Sequence, residues 1–438
     1  MIPAKTDHVS HYVRAFDAFE EGLNGQAQSP IHDVRKNAIA RFAELGFPTS
    51  RDEAWKATDL RPVTSTPFAL ADAAVAQTVD DARLAPFKFG LDGPTLVFVN
   101  GHYVSALSSP IDVDGITVSA APNEAVEAHL TRIATVDAHA LTALNTAFLL
   151  EVAYVHIARN VVSPDPIHIL HYTVAGGEPH LAVPRALIIV DDGAKASVVQ
   201  TFAGEGEGAY LNNAVTEIRV GENASLDHVK TTLEGPDGRH TDTLKISQGR
   251  SSRFISHTVS VDGAFTRNDI SSVLAGEGCE STVNGFYILD GDQHCDNYTL
   301  LEHQQPHCPS HELFKGILQD RSRAVFRGKI HVHRAAQKTD AYQQNQNILL
   351  SDDARVNTKP QLEIYADDVK CSHGATIGQL DEDALFYLRA RGISRPTAYR
   401  ILLRAFAQEV LGQITIESLR DGLTERVLAK IDRAGARS

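Results

Sequence analysis

The spacing of apolar positions changes twice along the chain. Near the N-terminus these positions recur at helical spacing and predict one helix around residues 9–16 and a second over residues 30–45. From about residue 152, short apolar runs of β type alternate with turns rich in Gly, Asp and Asn. From Asp381 to the end, helical spacing returns. The pattern therefore predicts a β-rich middle between two helical parts.

The turns of the β-rich middle form a repeat. Four of them share a glycine at a spacing of roughly 28 residues: Gly193, Gly221, Gly249 and Gly278. A fixed period carried by strands is typical of a solenoid, because one coil cannot bury its apolar face without its neighbours. The turns near Asp320 and Asp353 are spaced less regularly, so a β-sandwich stays the competing architecture.

The predicted fold class is mainly β with helical flanks, divided into three domains. Residues 1–150 are expected to form an α-helical and mixed domain, in which residues 62–94 make an irregular connection. Residues 151–377 form the β-solenoid core. Residues 378–438 form a helical bundle, because single apolar stripes recur in its helices.

Composition and charge narrow the classes of function. The chain has 438 residues, 43% of them hydrophobic and 22% charged, as is ordinary for a globular protein. A net charge of -14 argues against nucleic acid or an anionic membrane as partner. No apolar run approaches the roughly 20 residues that span a bilayer, and the N-terminus lacks the apolar core of a signal peptide. A cytoplasmic protein with four free thiols is expected, since no CxxC occurs.

Cys371 and His373 are the sharpest candidate site. They are expected to lie in a short turn where β-like sequence gives way to a helix starting near Asp381. Thiolate and imidazole are ligands for iron and zinc. Two ligands do not close a site, so the others must come from elsewhere in the fold or from another chain. The alternative is a buried structural Cys beside a hydrogen-bonded His.

Other chemistry-bearing residues match no known site. One segment is dense in metal-type residues but fits no zinc spacing, and its role stays open: His294, Cys295, His303, His307, Cys308 and His311. His331 and His333 share one face of a strand and are a weaker candidate. The sequence lacks GxxxxGK[ST], GxSxG and HExxH. It therefore predicts no self-contained active site.

The stretch KTDAYQQNQNILLSDDARVNTKPQLEIYADDVKCSHGATIGQLDEDALFYLRARGI closely resembles the SufB/SufD family of iron–sulfur cluster assembly proteins. The upstream segment RDEAWKATDL is similar to an N-terminal segment of the SufD branch, although an aromatic often stands where this chain has Ala57. The Cys371-Ser372-His373-Gly374 motif also fits the SufD branch. The resemblance is strongest over residues 300–410 and is weaker over most of the remaining chain.

The resemblance implies a right-handed parallel β-helix between helical domains. It also implies a non-enzymatic scaffold subunit that pairs with a SufB-like subunit and docks a SufC-like ABC-type ATPase through the C-terminal helices. Cys371 and His373 match the family's Cys and His at the subunit junction, where a nascent cluster or its iron is held. Nothing in the sequence supports a flavin, and pairing of the isolated chain with itself is left open.

Two functions of other classes compete with this interpretation. A carbohydrate-active β-helix enzyme would carry acidic and basic side chains along one face of the solenoid. A purely structural interaction protein would use the Cys-x-His segment only for packing.

Overall fold

Two long parallel sheets form the opposite walls of one β-solenoid of about eight turns. The computed structural model describes residues 7–23, 29–109, 114–120, 124–137 and 139–435. The predicted mainly β solenoid with helical flanks is confirmed. The β-sandwich is wrong, because stacked strands within each wall run parallel.

The helices lie at the two ends of the sequence, and the strands fill the middle. Within the described residues the helices are α1 Asp7–Gly22, α2 Pro30–Leu45, α3 Arg61–Thr64, α4 Asp81–Lys88, α5 Glu124–His129, α6 Ala140–Ala147, α7 Glu382–Ala390, α8 Arg395–Leu411 and α9 Glu417–Gly435. The early strands are β1 Ala69–Leu70, β2 Thr95–Val99, β3 His102–Tyr103, β4 Ile116–Ser119, β5 Ala153–Ile157, β6 Ile167–Val174, β7 His180–Ala182 and β8 Arg185–Val190.

The remaining strands build the regular coils. They are β9 Lys195–Glu205, β10 Tyr210–Val220, β11 Ser225–Leu233, β12 Gly238–Gln248, β13 Arg253–Asp262, β14 Phe265–Leu274, β15 Glu280–Leu289, β16 His294–His303, β17 Pro309–Leu318, β18 Arg323–Val332, β19 Asp340–Leu349, β20 Arg355–Thr358, β21 Gln361–Ile364 and β22 Lys370–Gly378. One wall has the strand order β22-β19-β17-β15-β13-β11-β9-β6-β2-β3, and the other runs from β20 through the even-numbered strands to β8, β5 and β4.

Each coil adds one strand to each wall and uses roughly 28 residues. Ser225 pairs with Arg253, and Arg253 pairs in turn with Glu280 one coil further on. Because side chains alternate along each strand, half of them point into the solenoid and half point out. The inward apolar residues form one continuous core along the axis, which includes Val198 near the start and Phe326 near the end.

The repeated turns contain two special positions. One residue of each turn has a positive φ and donates its backbone N–H to the next coil: Gly193, Asn223, Ser251, Gly278, His307 and Lys338. The second special position lies two residues earlier in the turn. Gly276 occupies it, and a Cβ there would stand 2.2 Å from the backbone N of Arg250. The predicted glycine repeat thus mixes residues needed for backbone conformation with residues needed for close approach.

The N-terminal helices pack on the outer face of the wall that contains β10 and β14. Tyr12, Phe16 and Phe42 form a buried cluster that includes Leu211 and Phe265 of those strands. The irregular connection predicted for residues 62–94 is wrong in part, because this region contains α3, α4 and a 3-10 helix over Ala73–Thr78. The Asp80 side chain caps α4 by accepting from the backbone N–H of Arg83.

The C-terminal helices pack on the outer face of the opposite wall. Leu403 of α8 and Leu423 of α9 share a buried cluster with Val259, Phe286 and Ile317. The predicted helix starts are confirmed, since Asp381 caps α7 and Ser394 caps α8 through their side chains. Among the described helices, none combines the length and apolar character of a bilayer-crossing segment.

Candidate functional site

Cys371 and His373 lie on β22, the last strand of its wall. The predicted short turn is wrong, because β22 pairs in parallel with β19 and thereby takes an extended conformation. Ala341 stands opposite Cys371, and Gln343 stands opposite His373. Two residues apart on a strand, the thiol and the imidazole share one face. That face points into the solenoid, since Cys371 packs against its core.

The site is open to solvent because the solenoid ends there. Within the described residues, β22 pairs with β19 alone and leaves its other edge without a strand. Cys371 is half-buried and His373 is exposed. Large apolar side chains near this end are also exposed, including Tyr342, Tyr365 and Ile377. Neither site residue is sealed inside an apolar interior, so both are accessible to a second chain.

The Cys371 thiol is in its neutral form at neutral pH. Burial raises its pKa above the usual range, an effect that the backbone of Ala341 partly offsets. The thiolate is the form that binds metal. A cation at this position would therefore displace a proton from Cys371 as it binds.

A column of polar side chains extends from the site along the wall, toward the earlier coils. Gln343 donates its side-chain Nε2 to Oε2 of Glu312 on β17 at 2.5 Å. Glu312, Gln343 and His373 face the same direction on three adjacent strands. Gly328 leaves space for this column, because a Cβ there would stand 2.3 Å from the Gln343 amide. Glu312 is fully buried, and burial raises its pKa to about 7.

Sequence reasoning missed Glu312 and Gln343. Each is polar, so each looks like a solvent-facing residue when its strand is considered alone. The signal that could have found them is the coil period, since aligning β17, β19 and β22 places both residues in line with His373.

The segment dense in His and Cys does not form one site. His294 stacks on Phe265, whereas Cys295 points into the solenoid core. His303 is buried and shares a hydrogen bond of 2.9 Å with Ser310. The other three residues do not share one environment either, because His307 and His311 are exposed whereas Cys308 is buried. Among the described residues, no three His, Cys, Asp or Glu side chains are grouped to hold a metal ion.

His331 lies on the outer face of β18 and His333 directly follows the end of that strand, with their ring centroids 4.6 Å apart. Each is engaged by a carboxylate, His331 by Glu363 at 3.1 Å and His333 by Glu302 at 2.7 Å. The pair is therefore part of an ion-pair network on the outer surface of the solenoid. Cys371, by contrast, lies on an inward face.

The RDEAWKATDL segment ties the N-terminal region to the later coils. The guanidinium of Arg267 lies 4.3 Å from the ring centre of Trp55. The carboxylate of Glu53 pairs with Lys359 at 2.7 Å and with Arg327 at 3.1 Å. The only Trp of the chain is therefore packed against a side chain of the solenoid.

These features define a class: a parallel β-solenoid, covered by helices on both walls, that presents a thiol and an imidazole on an open terminal coil. Two family descriptions match the chain, the SufBD protein N-terminal region over residues 6–169 and the SufBD core domain of SUF system FeS cluster assembly over residues 172–406. The chain belongs to the SufBD family.

Several relatives match along nearly the whole length. The iron-sulfur cluster assembly protein SufD of Escherichia coli strain K12 is 33% identical over 98% of this chain and 97% of its own length. An iron-sulfur cluster assembly SufBD family protein of Synechocystis sp. is 34% identical over 92% of each chain. The chloroplastic protein ABCI7 of Arabidopsis thaliana is 27% identical over 92% of this chain and 87% of that protein. The SufBD family protein described here is SufD-like.

Proposed function

We propose that this chain is a non-enzymatic scaffold subunit of an iron–sulfur cluster assembly complex, and that Cys371 and His373 supply part of the shell that receives iron or a nascent cluster. The observation that carries the proposal is the position of both side chains on the inward face of β22, where the solenoid ends. Family membership and the near full-length match to a SufD protein support the pathway.

The open coil supports a SufB-like partner at this end. Within the described part of the chain β22 is the edge strand of its wall, and exposed strand edges favour pairing with another chain. Exposed Tyr342, Tyr365 and Ile377 offer apolar surface beside that edge. A partner seated there would complete the ligand shell that Cys371 and His373 leave open. Without the SufB-like partner, a second copy of the chain would bind at the same edge.

The C-terminal helices support docking of a SufC-like ABC-type ATPase. Their buried sides are fixed to the solenoid wall, whereas Phe386 and Tyr387 of α7 and Ile401 of α8 are exposed. Large apolar side chains on a helix surface mark an interaction site. The ATPase would supply the nucleotide chemistry for which this sequence has no P-loop.

Iron and the nascent cluster enter this scheme as cargo. A soft thiolate and an imidazole suit iron. The raised pKa of Cys371 keeps the thiol protonated until a cation or a positive partner group displaces the proton.

The test is cluster reconstitution on the complex purified after co-expression with SufB-like and SufC-like subunits. We expect Cys371→Ser and His373→Ala to lower bound iron by roughly 10-fold or more, the scale of lost metal-site contacts. Cys295→Ser and His311→Ala are the matched controls and should keep wild-type iron content. Full iron content in both site variants would overturn the proposal and favour a purely structural interaction protein.

A further inference from the structure

Two of the four cysteines occupy equivalent positions on adjacent coils. Cys279 directly follows Gly278, and Cys308 directly follows His307, the positive-φ residues of their turns. Their strands β15 and β17 pair in parallel and in register. The two side chains are therefore neighbours in the corner where the chain enters each strand.

The two thiols share one hydrogen-bond acceptor. Cys279 Sγ donates to the carbonyl of Gly276 at 2.9 Å, and Cys308 Sγ donates to the same oxygen at 3.3 Å. Together with Leu274 they form a small buried cluster of their own. Neighbouring strands lie about 4.8 Å apart, within the Cα separation of about 4.4–6.8 Å that a disulfide spans. No large movement of the backbone is needed to join the sulfurs.

The pair is also electrostatically unequal. When Cys279 loses its proton, Cys308 can turn its S–H from the Gly276 carbonyl to the Cys279 sulfur, and this hydrogen bond lowers the pKa of Cys279 and raises the pKa of Cys308. By contrast, burial raises the pKa of Cys295 to about 12. Of the two neighbouring thiols, Cys279 is therefore the one that loses its proton more readily.

The turns beside the pair reach the protein surface. Both cysteines are buried, but Glu277, Gln305 and His307 of the covering turns are exposed. Gly276 and Gly278 add no side chain to the cover.

We propose that Cys279 and Cys308 are a redox-active dithiol that closes to a disulfide when a peroxide is the oxidant. The Cys279 sulfur attacks one peroxide oxygen, the O–O bond breaks, and the first water leaves as a sulfenic acid forms. The Cys308 sulfur attacks that sulfenic sulfur, forms the S–S bond and releases the second water. Two thiols lose two electrons and two protons, and one hydrogen peroxide becomes two waters.

The site is separate from Cys371 and His373, so its test does not depend on the proposed function. The full-length protein is reduced, exposed to hydrogen peroxide, and then denatured with an alkylating reagent for thiol counting and peptide mapping. We expect the four free thiols to fall to two, with one linkage joining Cys279 to Cys308. A chain denatured before oxidation should lose this selectivity.

Four single variants sharpen the result. Cys295→Ser and Cys371→Ser should keep the linkage, because neither thiol takes part. Cys279→Ser and Cys308→Ser should form no intramolecular linkage under the same treatment. Four retained thiols in the folded wild-type protein would overturn the proposal. A linkage to Cys295 or Cys371, or oxidation of Cys279 beyond the sulfenic acid without a disulfide, would overturn it as well.

Discussion

Gln343 stands between a buried acid and the candidate site, donating its side-chain Nε2 to Oε2 of Glu312 at 2.5 Å. On the opposite side, strand register places Gln343 next to His373. One amide thus lies between an exposed imidazole at the end of the solenoid and a carboxyl inside it. Because burial raises the pKa of Glu312 to about 7, the charge of this carboxyl changes within the physiological range.

Glu312→Gln is expected to change how stability depends on pH. At low pH the Glu312 carboxyl is protonated in both the folded and the unfolded chain. As pH rises above about 4.5, the unfolded chain releases the proton while the folded chain keeps it until about pH 7. The wild-type protein should therefore lose up to about 3 kcal/mol relative to Glu312→Gln between pH 4 and pH 8. Urea unfolding of both proteins at several pH values measures this difference.

The control for this experiment is Glu280→Gln, an exposed carboxyl on β15. Glu280→Gln should change the free energy of unfolding by less than about 0.5 kcal/mol, because the side chain is exposed. If wild type and Glu312→Gln keep the same stability difference at every pH, Glu312 does not titrate as the buried environment requires.

The buried ion pair of Arg185 and Glu217 yields a second prediction. Besides the guanidinium, the Glu217 carboxylate accepts backbone N–H groups from Thr131, Ile133 and Ala134 at 2.9–3.0 Å. Glu217→Gln leaves the Arg185 charge buried without its partner. We expect a loss of about 3–5 kcal/mol in the free energy of unfolding, measured by urea denaturation.

An exposed ion pair provides the comparison. Asp292 pairs with Arg321 at 2.6 Å on the solenoid surface. Asp292→Asn should cost less than about 1 kcal/mol, because solvent screens the charges. Equal losses in the two variants would show that burial does not set the strength of these pairs.

Local sequence signals were sufficient for the long helices at both ends of the chain, but they missed α3 and α4 and left a β-sandwich open beside the solenoid. Pro30 and Gly46 bound α2 as their chemistry requires. The stacking of strands was readable from the period of the turns. The local structure around Cys371 could not be predicted from the sequence, because nearby glycines favour a turn. The segment is a strand because it pairs with β19. Tertiary contact decided that outcome.

The inward polar column was hidden for a different reason. Which face of a strand points inward depends on how the coils stack, and a shift of one residue would turn Glu312 and Gln343 to the outside. The candidate residues Cys371 and His373 were found by residue type and resemblance. Their position at the open end required the full sheet order.

Glycine substitutions test the close approach of successive turns. A Cβ at Gly276 would meet the backbone N of Arg250 at 2.2 Å, whereas a Cβ at Gly378 meets nothing within 4 Å. Gly276→Ala should destabilise the protein by about 1–3 kcal/mol, because a backbone atom has to move. Gly378→Ala should stay within about 0.5 kcal/mol of wild type. Thermal or urea unfolding distinguishes the two, and equal behaviour would contradict the turn geometry.

The exposed face of α7 is expected to contribute to binding of the ATPase subunit. Phe386 is 73% exposed, so its removal should leave the folded chain intact. If the C-terminal helices dock the ATPase, Phe386→Ala should weaken binding of that subunit by about tenfold or more, since a buried aromatic anchor contributes about 2 kcal/mol. Binding of the purified SufC-like subunit to the complex of this chain with its SufB-like partner measures the loss.

Two matched variants separate docking from folding. Leu403→Ala, in the buried face of α8, should lower the free energy of unfolding by about 2–5 kcal/mol. Tyr342→Ala, exposed at the open end of the solenoid, should leave ATPase affinity unchanged and weaken pairing with the SufB-like subunit. Unchanged ATPase affinity in Phe386→Ala, together with reduced affinity in Tyr342→Ala, would place the ATPase at the open coil instead of on the helices.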